Sequence, residues 1–270
     1  MLKFSRLHLS AALGMCVVLS GCGSSSSGPP VAYVRLTGNW QITSQISSVY
    51  QSPLITSFGG SLQSKEGVVT GVLQPTGLKV IGGGTTGPYS CVDFGQALQV
   101  TGTIDASSNL KLTFPIAGGT GSVTAILGPD LQTEAVGSYQ IVGGTCATSA
   151  APMTIAQIAA ATGTYIGVFN GDRPNTAITV TAVLTQALLP DGNGQFPLTG
   201  TVTAAGFCPG SLTLTNYSAL GQFIVMSSHP SNSPNFSGRI APDASSLTSA
   251  SFSTASPCDD GQYVGSLTRQ

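Results

Sequence analysis

The chain reads Leu98-Gln99-Val100-Thr101-Gly102-Thr103-Ile104, then Asp105-Ala106-Ser107-Ser108, then Asn109-Leu110-Lys111-Leu112-Thr113-Phe114. Apolar residues alternate with polar ones on both sides of a short link. A strand sends successive side chains to opposite faces, so this alternation lays Leu, Val and Ile on one face and Gln and Thr on the other. Asp and Ser in the link favour a turn, because their oxygens accept from backbone N–H groups just ahead. The segment is therefore a hairpin with one buried face. The same period recurs in Ile178-Thr179-Val180-Thr181-Ala182-Val183-Leu184 and in Ser211-Leu212-Thr213-Leu214-Thr215. Turn chemistry returns at Pro129-Asp130, Asn170-Gly171-Asp172, Asp191-Gly192-Asn193-Gly194 and Pro242-Asp243. A chain rich in Thr, Val, Ser and Gly, and poor in Glu, Lys and Arg, disfavours helix. Short strands and short turns in regular succession predict an all-β fold: antiparallel meanders closed as small barrels or sandwiches. The one helical candidate is Met153–Ala160, read as a short turn in a linker.

An ordered set of signatures occurs twice. Gly38-Asn39-Trp40 matches Gly163-Thr164-Tyr165, and Val69-Thr70-Gly71 matches Leu198-Thr199-Gly200. Pro129-Asp130 then matches Pro242-Asp243, and Ser138-Tyr139 matches Ser251-Phe252. A Cys pair accompanies each copy, Cys91 with Cys146 and Cys208 with Cys258. The repeat predicts two tandem units, 35–148 and 163–270, with a linker over 149–162. Gly261-Gln262-Tyr263-Val264-Gly265 also resembles Gly163–Gly167, so the strand at Gly163 is expected to close the first unit while it opens the second. Four Cys allow three pairings. The duplication favours one bridge per unit, each closing about 50 residues and contributing roughly 4 kcal/mol by the chain-entropy model.

Residues 1–21 read as an export signal: Lys3 and Arg6, then an apolar stretch from Leu9 to Leu19, then small residues. That stretch is shorter than the roughly 20 residues a spanning helix needs. Leu19-Ser20-Gly21-Cys22 resembles the bacterial lipobox. The resemblance implies cleavage before Cys22, a diacylglyceryl group on its thiol and an acylated new amino terminus. Residues 22–34, with Ser24–Ser27 and Pro29-Pro30, then form a Gly/Ser/Pro tether. By the enterobacterial sorting rule, Gly23 after the Cys implies the outer membrane. An exported chain meets oxidising conditions, which suits the two bridges.

Gly38-Asn39-Trp40 at the head of a strand is similar to the opening of lipocalins and avidins, eight-stranded up-and-down barrels that bind small ligands in the mouth. That likeness implies that Trp40, and Tyr165 in the second copy, plug the closed end of a barrel. Arg269 is the one residue placed to imitate the end-strand Arg of lipocalins. The lipobox, the Ser-rich tether, Leu36-Thr37-Gly38-Asn39-Trp40 and the Cys pair per unit look like two-repeat lipoproteins of acidobacterial genomes. That likeness implies address and architecture, and no activity.

Chemistry is sparse. Charged residues are 7% of the chain and the net charge is −1, which excludes the basic stripe a nucleic-acid binder needs. After the signal the only His is His229, in Ser228-His229-Pro230, with no Gly-x-Ser-x-Gly elbow. Asp259-Asp260 read as a polar turn beside Cys258, and Glu66 and Glu134 as isolated acids. Asp191-Gly192-Asn193-Gly194-Gln195 begins like a calcium loop, but Phe196 stands at its Gly position and Val202 at its bidentate Glu. Ile81–Gly87 is Gly-rich without the Lys-Ser/Thr close of a phosphate loop. Trp40, Tyr139, Tyr165, Phe252 and Tyr263 read as core, and Tyr50, Tyr89 and Tyr217 as candidate surface contacts.

These readings predict a lipid-anchored cell-envelope protein without catalysis, cofactor or metal, of structural or partner-binding type. The expected partners are the membrane, through Cys22, and an envelope or surface protein. The alternative is a barrel holding a small apolar or saccharide ligand. Bulky side chains in the barrel would fill it, and small ones would leave a cavity.

Overall fold

The computed structural model describes residues 32–47, 53–80, 96–116, 118–144, 147–171, 177–205, 211–213, 216–227, 235–253 and 262–270. Cys22, Cys91, Cys146, Cys208, Cys258, His229, Asp259-Asp260, Tyr50, Tyr89 and the Ile81–Gly87 loop lie outside the described residues.

Two antiparallel meanders follow one another, each closed into a barrel. The first runs β1 (Gly38–Ser47), β2 (Pro53–Lys65), β3 (Val68–Val80), β4 (Leu98–Ile104), β5 (Asn109–Ile116), β6 (Gly119–Ile126), β7 (Ala135–Val142) and β8 (Ala151–Ile158). β1 pairs with both β2 and β8, which closes the ring. The second runs β9 (Gly163–Gly171), β10 (Ala177–Gln186), β11 (Phe196–Ala205), β12 (Ser211–Thr213), β13 (Asn216–Leu220), β14 (Phe223–Ser227), β15 (Asn235–Ile240), β16 (Ser246–Ser253) and β17 (Gln262–Arg269). Both β12 and β13 pair with β11, so they form one interrupted stave. β9 pairs with β10 and β17, and β10 with β11, which closes a second eight-stave ring.

The quoted hairpin is β4–β5. Its burial alternates as the sequence requires, with Val100, Leu110, Leu112 and Phe114 inside. Asp105 makes the turn, its carboxylate accepting from the Ser107 N–H at 2.8 Å and the Asn109 N–H at 2.9 Å.

The helical expectation for Met153–Ala160 is corrected: these residues lie in and just beyond β8. Met153 and Ile155 alternate into the first core, and Met153 pairs with Ser44 of β1. Without this strand β1 and β7 would be open edges, so pairing overrides the local preference. The segment read as a linker thus supplies the last stave of the first barrel. The shared-strand expectation is corrected as well: β9 opens the second barrel and β17 closes it, side by side and antiparallel.

Residues 32–270 make one compact unit, because the barrels are joined. Ile158 and Ala161 leave β8 and enter the core cluster of the second barrel. The Ala159 N–H donates to the Pro242 carbonyl at 2.7 Å, and the Ala161 N–H to Gln186 Oε1 at 2.8 Å. On the outer wall of the first barrel, the Asn39 amide clasps the β13–β14 turn. Its Nδ2 donates to the Gly221 carbonyl, and its Oδ1 accepts from the Gly221 N–H, both at 2.8 Å. Gln41 Oε1 accepts from the Gln222 N–H at 3.0 Å, and Gln74 Nε2 donates to the Asn193 carbonyl at 2.8 Å. Asn39, Gln41 and Gln74 are all buried, which is tolerable because each is hydrogen-bonded. The approach is close enough that a Cβ on Gly59 would lie 2.6 Å from the Leu220 carbonyl.

Two substitutions probe this joint. Asn39→Ala leaves both backbone groups of Gly221 without their partner and costs about 2 kcal/mol in urea unfolding. Gly59→Ala overpacks the contact and costs about 1–3 kcal/mol. Wild-type stability in both variants would mean that the barrels do not lean on each other.

Candidate functional site

A ligand in the barrel mouth, the alternative expectation, depends on what fills the interiors. Eight staves leave a lumen just wide enough for side chains. In the first barrel Phe58, Phe114 and Tyr139 meet there. The Phe58 and Phe114 ring centroids are 5.5 Å apart, and those of Phe58 and Tyr139 5.8 Å. In the second, Phe169 and Phe236 stack at 6.2 Å. The bulky side chains at the centre of each lumen are the barrel's own.

The aromatic residues that open the two repeats are buried in the cores of their own barrels. Trp40 is fully buried in the first core, and its Nε1 donates to the Leu36 carbonyl at 2.7 Å. The Tyr165 hydroxyl donates to the Ala244 carbonyl at 3.2 Å. Burial raises the Tyr165 phenol above its ordinary value, and the positive charge of Arg269 partly offsets this. Arg269 faces Tyr165 across β17–β9, with its Nε over Gly163. The same place in the first barrel holds Gln157, opposite Trp40 and donating to the Thr37 carbonyl at 2.9 Å. Tyr263 is buried in the second core.

Tyr139 differs. Its ring is fully buried, its hydroxyl has no hydrogen-bond partner, and burial pushes its pKa far up. The second copy carries Phe252 at the matching position, which shows that the repeat does not need the hydroxyl.

The acids of the turns serve the backbone. The Asp191 carboxylate accepts from the Asn193 N–H at 2.8 Å and the Gln195 N–H at 3.0 Å, so the calcium-like segment is a hairpin turn. Asp130 accepts from the Thr133 hydroxyl and the Gln132 N–H, and these bonds hold its pKa below the usual range. Asp243 is lowered in the same way through Ser245. Glu66 occupies the β2–β3 turn with a left-handed backbone, φ 51°. Among the described residues no three His, Cys, Asp or Glu side chains come together.

The structure brings together a site that no motif announced. The connection from β10 to β11 overhangs the outer wall of β2, β3 and β4, and leaves a cleft of about 510 Å³. The wall offers Gln63, Thr70, Val72, Gln99 and Thr101; the overhang offers Leu188, Leu189 and Pro190. The overhang is pinned at its far end. Gln74 holds the Asn193 carbonyl, the Gln195 amide donates to Gln74 Oε1 at 3.2 Å, and Gly194 (φ 77°) lies flat on Val72. Leu188 and Leu189 stand at the lip, 93% and 76% exposed. The only trace of this in the sequence was a Leu-Leu-Pro next to a turn.

No family model matches the chain, and no curated protein sequence matches it. A crystal structure from Nitrosomonas europaea, provisionally assigned as AttH, is similar over 85% of this chain and 91% of that one, at 11% identity and a TM-score of 0.24.

The two Tyr hydroxyls should respond oppositely to removal. Tyr165→Phe loses a bond and about 1 kcal/mol, whereas Tyr139→Phe relieves an unpaired hydroxyl and gains about 1 kcal/mol in urea unfolding. The folded chain keeps the Tyr139 proton while the unfolded chain releases it near pH 10. Stability is therefore unaffected by this group below pH 10 and falls above it, and Tyr139→Phe should flatten that fall. Lost stability in Tyr139→Phe would mean that the hydroxyl has a partner in solution.

Proposed function

We propose that the chain is a non-catalytic binding protein held at the cell envelope by a lipid on Cys22, and that it binds on its outside, in the cleft between β2–β4 and the β10–β11 overhang. One observation carries the reading: the lumens are occupied by the protein's own rings, while Leu188 and Leu189 project into solvent at the lip of a preformed cleft. Large apolar side chains held out from a rigid support are a mark of a contact surface. The lipobox-like Leu19-Ser20-Gly21-Cys22 and the Ser-rich tether support an anchored body that faces its partner at a distance from the membrane. The outer membrane is the proposed location.

A second reading is a guest inside the first barrel. The unpartnered Tyr139 hydroxyl favours it, since burying such a group unpaired costs about 1–3 kcal/mol.

Two measurements test the first reading. Cys22→Ser should abolish incorporation of labelled palmitate and move the protein from the membrane to the soluble fraction; an unchanged distribution would remove the anchor. A photo-crosslinking residue at 188 in intact cells should give a discrete adduct, absent when the probe stands at Val136, which is also exposed. Equal adducts at both positions would remove the cleft as the working surface.

A further inference from the structure

We propose that the cleft takes an uncharged small molecule with an apolar body, seated on Val72 beneath Leu188 and Leu189 and hydrogen-bonded by Gln63 and Gln99. This rests on the reading of the cleft as the working surface and names what enters it.

Size is the first argument. The cleft volume of about 510 Å³ lies within the range of roughly 300–1,000 Å³ seen for small-molecule sites. The second argument is charge. Asp191 is the one ionisable residue in the lining, and its carboxylate is already bound by two backbone N–H groups of its own turn. An anion entering the cleft would leave water and meet no positive charge there, whereas an uncharged molecule loses little. The third is the disposition of polar groups. Gln63 and Gln99 flank the β3 position of Val72: Gln63 pairs with Thr70, and Gln99 with Val72. Neither amide makes a hydrogen bond within the protein among the described residues, so each has donors and an acceptor to offer. An apolar strip bordered by a few convergent polar groups is the usual composition of a small-molecule site. The fourth is preorganisation. The wall is a hydrogen-bonded sheet, and the overhang is fastened to it through Gln74, Asn193 and Gln195, so little ordering is left for the ligand to impose.

The test uses two dyes of similar apolar body and different charge: Nile red, uncharged, and anilinonaphthalene sulfonate, an anion. The protein is the chain from residue 23 exported without lipid, which contains the whole compact unit and keeps detergent out of the assay. Nile red should shift to the blue and saturate at one per chain, with the anion at least tenfold weaker. Leu188→Ser/Leu189→Ser should weaken Nile red about tenfold, and Gln99→Trp, which fills the cleft, should do the same with the midpoint of urea unfolding unchanged. Tyr139→Phe, inside the first barrel, should leave dye binding as it was. Equal binding of the two dyes, indifference to the cleft variants, or loss of binding in Tyr139→Phe would each overturn the proposal. A protein adduct at position 188 without any dye binding would overturn the small-molecule ligand while leaving the cleft as the working surface. No adduct at 188 together with cleft-independent dye binding would remove both.

Discussion

Closure of each sheet on itself is the constraint from which the rest follows. A meander of eight short strands has two edges until its last strand returns to its first. β8 does this for the first barrel and β17 for the second. Once closed, the lumen has one diameter, and side chains from all staves compete for it. Phe58, Phe114 and Tyr139 occupy it in one barrel, and Phe169 and Phe236 in the other. The rings that meet there are packed against one another, at centroid distances of 5.5 Å and 5.8 Å in the first barrel and 6.2 Å in the second.

The joint between the barrels gives the outer wall its shape. A bare barrel presents a convex surface, which makes a poor site. Here the wall of β1–β4 is covered at the β1 side by the β13–β14 turn and overhung across β2–β4 by the β10–β11 connection. Buried amides of Asn39, Gln41 and Gln74 hold backbone groups of the second barrel at both places. Such bonds are directional, so they set the angle of the overhang as well as its attachment. The duplication thus has a consequence beyond repetition: two convex bodies produce one concave surface.

The two copies also serve as controls for each other. Trp40 and Tyr165 are both fully buried, with their polar atoms satisfied by different carbonyls. Gln157 and Arg269 take the same place beside them. Tyr139 keeps a hydroxyl that the second copy omits, and it is the one buried side-chain polar atom without a partner among the described residues. Where copies agree, the barrel requires the residue; where they differ, as at Tyr139, something other than closure is at stake.

Period-two alternation, turn residues and the duplicated signatures were enough to determine an all-β chain of two antiparallel meanders, because each is a local property of a few consecutive residues. They also located the turn carboxylates correctly, since Asp105 and Asp191 bond only to neighbours two and four residues on. Local reading failed at Met153–Ala160, where a segment with ordinary helical composition became a stave because β1 and β7 needed a partner between them. It gave no hint of the cleft either. Leu188 is far in the chain from Gln63, Val72 and Gln99, and each looks like an ordinary strand or loop residue. Only tertiary structure brings them to one place, through contacts of Asn39 with Gly221 and Gln74 with Asn193 that span more than a hundred residues and leave no periodic trace.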